Sequence, residues 1–161
     1  MMPSMIEDGV DALVARFTAH ATNVEVASRV EGSPLLECLT DAAVLYLLER
    51  TGPYLAPRGV ARVIVQPDTQ QLVRVASDDP APPRHVEALG AGRLVASGLV
   101  IAIDPPFVVV DAGIPLVVAV EALPEDLATG ERVRFQSRAP VHGFVLPPTR
   151  DRGVVRTDDL V

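Results

Sequence analysis

Residues 94–146 read LVASGLVIAIDPPFVVVDAGIPLVVAVEALPEDLATGERVRFQSRAPVHGFVL. Short Val- and Ile-rich runs alternate there with Pro and Gly, a pattern that predicts strands at about Leu94–Ile103, Phe107–Val110, Ile114–Val120, Arg132–Arg138 and Val141–Leu146. Asp104-Pro105-Pro106 and Asp111-Ala112-Gly113 are tight turns. Asp suits such turns because its carboxylate accepts a hydrogen bond from the amide two residues on. The longer link, Glu121–Glu131, contains Leu123-Pro124-Glu125-Asp126-Leu127 and predicts a single helical turn before Gly130.

The resulting order is three strands, a helical turn and two strands. It resembles a small five-stranded OB-like β-barrel, a likeness also carried by Leu127-x-x-Gly130-Glu131-x-Val133. Preceding it, Ser77-Asp78-Asp79-Pro80-Ala81-Pro82-Pro83 lacks apolar periodicity and reads as an exposed connection. The expected organisation is therefore α+β: an N-terminal helix-strand-helix-hairpin region over 1–76, a linker over 77–93, the barrel over 94–148 and a tail over 149–161.

In the N-terminal region, Ser4 and Glu7 have capping-box spacing, and Ile6, Val10, Leu13, Val14 and Phe17 share a helical face, predicting a helix from about Met5 to Phe17. Val24, Val26 and Val30 alternate with polar or small residues and predict a strand. Ser33-Pro34 suits a helix start and Thr51-Gly52-Pro53 a helix end. Between them, Leu35, Leu39, Ala43, Tyr46 and Leu47 predict one largely buried helix over Pro34–Glu49. Val60–Gln66 and Leu72–Ala76 are β-prone and predict a hairpin with a five-residue loop, 67–71. Taken as one unit, a strand followed by an apolar helix and then several strands looks like a hot-dog domain, which implies an enzyme acting on an acyl thioester. Residues Val30 to Leu36 depart from that pattern, because they offer no His-Gly-Gly approach to the helix.

The chain has 161 residues, enough for one domain with a sizeable core. It is 48% hydrophobic but only 4% aromatic, so Val, Leu, Ile and Ala must build that core. Its net charge of -7 opposes non-specific binding to nucleic acid or to an anionic membrane. From Gly130 to Thr157, however, six Arg face two acids, a local +4 that leaves -11 on the remainder. Cys38 is the single cysteine, which excludes an intrachain disulfide and fits a reducing, cytoplasmic setting. The acidic start of the chain does not read as a signal peptide, and Pro105, Pro106 and Pro115 cut the apolar runs short of the ~20 residues of a membrane helix.

Catalytic residue types are sparse. His20, His85 and His142 stand apart from one another and from other metal ligands at helical spacing, so no metal and no cofactor is expected. Cys38 has no neighbouring base in sequence and reads as a packed thiol. Glu37 and Asp41 would share a helix face, and under the hot-dog resemblance they are the candidate acid or base. Gly90-Ala91-Gly92 lacks the remainder of a phosphate-binding loop. The most coherent polar group is Arg132, Arg134 and Arg138, whose even spacing places them with Gln136 on one strand face opposite Val133 and Phe135. These three arginines are the candidate binding residues, suited to an acidic surface. Exposed stacking aromatics that would favour nucleic acid are not evident. The expected role is a non-enzymatic interaction or assembly module that binds another protein or itself. The acyl-thioester enzyme and a nucleic-acid-binding barrel stand as the alternatives.

Overall fold

The computed structural model describes residues 2–29, 35–50 and 59–147. Apolar side chains at every second position dominate, and strands follow: β1 Thr22–Arg29, β2 Leu35–Leu39, β3 Val44–Glu49, β4 Gly59–Gln66, β5 Asp68–Gln71, β6 Val73–Arg74, β7 His85–Leu89, β8 Arg93–Asp104, β9 Phe107–Asp111, β10 Pro115–Ala122, β11 Arg132–Gln136 and β12 Val141–Val145. They form one 12-stranded mixed sheet. The one α-helix among the described residues, α1, spans Met2–Phe17.

Two closures organise this sheet. In the first, β1 pairs with β2, β2 with β3, β3 in parallel with β12, β12 with β4, and β4 back with β1. This is a closed ring of five strands, and Val26, Cys38, Leu45, Leu47, Val63 and Val145 are among its buried residues. In the second, β10, β9, β8 and β11 are antiparallel neighbours. The run 68–75 closes them: β5 lies parallel to β10 and β6 pairs with β11. Two further bonds join β5 to the end of β11, Arg138 N to the Asp68 carbonyl (2.8 Å) and Thr69 Oγ1 to the Gln136 carbonyl (3.0 Å). Val100, Val108, Val110, Val118, Val133 and Phe135 are buried there.

Helix α1 straddles both rings. Leu13 and Phe17 pack on Ile64 and Phe144 from the first and on Val109 and Val117 from the second. Phe17 meets Phe107 edge to face with centroids 5.1 Å apart. Arg16 lies within 5.3 Å of both ring centroids and pairs with Asp104 at 2.6 Å.

Several expectations are corrected. The helix expected over Pro34–Glu49 is the β2–β3 hairpin, with Leu36, Cys38, Leu45 and Leu47 buried. Leu39 and Tyr46, expected in a helix core, are exposed. The reversal is local chemistry: Thr40 Oγ1 accepts bonds from the amides of Ala42 (3.1 Å) and Ala43 (2.9 Å), so Thr40–Ala43 is a turn at the middle of the supposed helix. With no central helix to wrap, the hot-dog alternative falls too. The helix-strand-helix-hairpin plus OB-like barrel is likewise not the architecture. All five strands expected over 94–146 form, but β12 leaves the other four to complete the ring with β1–β4. Nor do Val60–Gln66 and Leu72–Ala76 make a hairpin, since β4 pairs with β1 and β12 while β6 pairs with β11. The helical turn within Glu121–Glu131 is absent: β10 continues to Ala122 and non-helical turns follow. The first helix begins three residues earlier than expected, and the strand expected from Val24 forms as β1; Val30, Ser33 and Pro34 lie outside the described residues.

Candidate functional site

The three arginines alternate with buried Val133, Phe135 and Ser137, as strand periodicity requires. Their guanidinium groups do different things. Arg132 donates to four main-chain carbonyls of the Pro-rich stretch: Nη1 to Ala76 (3.1 Å), Ser77 (3.3 Å) and Asp79 (3.2 Å), and Nη2 to Ala81 (3.1 Å). The stretch read as an exposed connection is largely exposed and is also held to β11 by these bonds. Arg138 forms an ion pair with Glu121. Arg134 stands 4.0 Å from the Asp79 carboxylate. It lines a groove with Ala81, Pro82, His85, Val95 and Ser97.

A second polar group sits where the rings meet. Gln66 on β4 donates from Nε2 to Asp68 Oδ1 (2.6 Å), and His142 Nε2 on β12 lies 3.7 Å from Asp68 Oδ2. Arg50 Nη1 is 3.2 Å from His142 Nδ1. A guanidinium only donates, so Nδ1 accepts and the ring proton faces Asp68. The His142 ring facing it is the chief cause that holds the Asp68 carboxyl below its usual range; Gln66 and the charge of Arg138 act the same way against the cost of partial burial. Sequence reading left His142 and Asp68 as separate residues, and nothing in linear spacing unites positions 50, 68 and 142.

Cys38 faces the interior of the first ring, 1% exposed. Burial, then the neighbouring Glu37 charge, pushes its thiol up to about 11. Glu37 and Asp41 no longer share a helix face: Glu37 lies opposite Tyr46 on the hairpin, and Asp41 is exposed in its turn. Asp111 Oδ1 accepts from Gly113 N (3.1 Å), the turn bond expected of it, and Oδ2 pairs with Arg84 (2.9 Å). Among the described residues no three His, Cys, Asp or Glu side chains gather as metal ligands, and no helix is long and apolar enough to cross a membrane.

The feature that sequence reading missed is an apolar strip outside the first ring. Strand register aligns Val60, Glu25, Leu39 and Val44 across β4, β1, β2 and β3, with Tyr46 two residues along β3 from Val44. Val60 is 81% exposed, Val44 41%, Leu39 38% and Tyr46 37%. A period-two reading of Leu35–Glu49 would have put Leu39, Val44 and Tyr46 outside. No family model matches the chain, and no curated protein or solved structure matches it either.

Proposed function

We propose that the chain is a non-enzymatic, cytoplasmic interaction module that binds another protein chain through the outer face of β1–β4. The exposed apolar group of Leu39, Val44 and Tyr46, with Val60 on the far side of Glu25, carries this reading, because exposed apolar side chains on one face gain from being covered. Glu25 lies within the strip, and the net charge is -7, so a phosphate backbone is a poor occupant compared with a protein surface. A buried, free Cys38 accords with a reducing compartment.

Site-specific photo-crosslinking tests the proposal. A photoreactive residue at position 44 should join to a protein, in cells or in a concentrated sample of the pure chain, more efficiently than one at the exposed polar position 87. Val44→Asp with Tyr46→Ser should abolish the association while leaving the melting temperature within a few degrees. Equal crosslinking from positions 44 and 87 would refute the assignment of this face.

A further inference from the structure

We infer that the groove beside Arg134 binds a small monocarboxylate bearing a short apolar group. This goes beyond the protein-binding reading and uses a different face of the molecule. Of the three arginines, Arg132 is engaged by four carbonyls and Arg138 by Glu121, whereas among the described residues Arg134 has only a loose ion pair with Asp79 at 4.0 Å, outside hydrogen-bond reach. The Arg134 side chain is about half exposed. Register puts His85, Ser97 and Arg134 in one row across β7, β8 and β11, so a hydroxyl and a guanidinium are presented side by side, and the His85 imidazole beside them has its Nε2 3.4 Å from the Glu87 carboxylate. Around them Ala81, Pro82 and Val95 make the lining mostly apolar.

That combination is selective. A guanidinium presents a planar fork matched to a carboxylate, and an apolar lining rewards a hydrocarbon substituent on the same ligand. One arginine offsets one negative charge, and Asp79 nearby, in a chain of net charge -7, disfavours a dianion such as phosphate. The groove is open on one side and holds about 230 Å³, below the roughly 300–1,000 Å³ of sites for drug-sized ligands, which suits a short occupant. We assign it to a free small acid.

Amide chemical shifts of the whole chain, followed during titration with butyrate, test this. Saturable shifts should centre on Ser97 and Arg134. Butyramide, which is neutral and of the same shape, should bind at least about tenfold more weakly, and Arg134→Gln should weaken butyrate by a similar factor. Ser97→Leu, which fills the groove without touching the guanidinium, should also abolish the response, and the dispersion of the spectra reports whether each variant folds. Equal responses to butyrate and butyramide, a wild-type titration in Arg134→Gln, or no saturable shift with butyrate would each overturn the site. A peptide ending in a free valine carboxylate that binds more than tenfold tighter than butyrate, while its amidated form does not, would overturn the assignment to a free small acid.

Discussion

Val65 on β4 and Leu116 on β10 are register partners in a parallel pairing, and neither side chain reaches solvent. Through this pair the two rings share one core, so they should unfold together. Leu116→Ala should cost about 2–5 kcal/mol, the range for truncating a packed leucine. Urea denaturation followed by far-ultraviolet circular dichroism and by near-ultraviolet signal should give one coincident transition in both wild type and variant. Two separated transitions would show that the rings are independent.

The β2–β3 hairpin makes neighbouring leucines unequal. Leu45 faces the interior at 1% exposure and its loss to alanine should cost about 2–5 kcal/mol, whereas outward Leu39→Ala should cost under about 1 kcal/mol. Comparable denaturation midpoints for the two variants would contradict the hairpin.

Gly98 lets β8 press against β9. A Cβ there would lie 2.3 Å from the Asp111 carbonyl oxygen and 2.7 Å from its carbon, main-chain atoms that cannot swing aside. Gly98→Ala should therefore cost about 1–3 kcal/mol or more by overpacking. Gly90→Ala, with nothing within 4 Å of its added carbon, should stay within about 0.5 kcal/mol. Thermal melts of the two variants side by side check the contrast.

Cys38 should be alkylated slowly in the folded protein at pH 8, because the reactive thiolate is scarce when burial holds the thiol at about 11 and the ring covers it. The comparison is the rate in a denatured sample. Matching rates would mean that the ring opens freely or that the thiol is activated.

Asp68 links stability to acidity. Its folded carboxyl titrates below the unfolded value, so its contribution is present above the unfolded value of roughly 3.9 and is lost as pH falls through the folded one. Because the side chain is 40% exposed, that contribution should be only about 0.2–1 kcal/mol. Asp68→Asn should be less stable than wild type at pH 7 by this amount, and the difference should shrink as pH falls below the unfolded value of roughly 3.9 in urea titrations.

The sequence made individual strands legible where apolar alternation and turn residues agree, as at Phe107–Asp111 and Arg132–Gln136. Residues 35–49 misled because their leucines satisfy a helical stripe as well as two short strands, and the deciding Thr40 turn uses only a hydroxyl and two amides. The arrangement of strands was illegible for another reason: β12 chooses β3 and β4, far off in the chain, over its neighbour β11, and no local pattern records such a choice. The arginine row was visible as a row. Which arginine stays available depended on where the Pro-rich stretch folds, since its carbonyls engage Arg132.

The late arrival of β12 also sets an order of events during synthesis. Until Val141–Val145 leave the ribosome, β3 and β4 lack the neighbour that seals them to each other, and both present bare main-chain edges. A nascent chain halted at residue 140 should therefore seek a substitute strand, from a chaperone or a sister chain, and should aggregate more readily than the 161-residue chain.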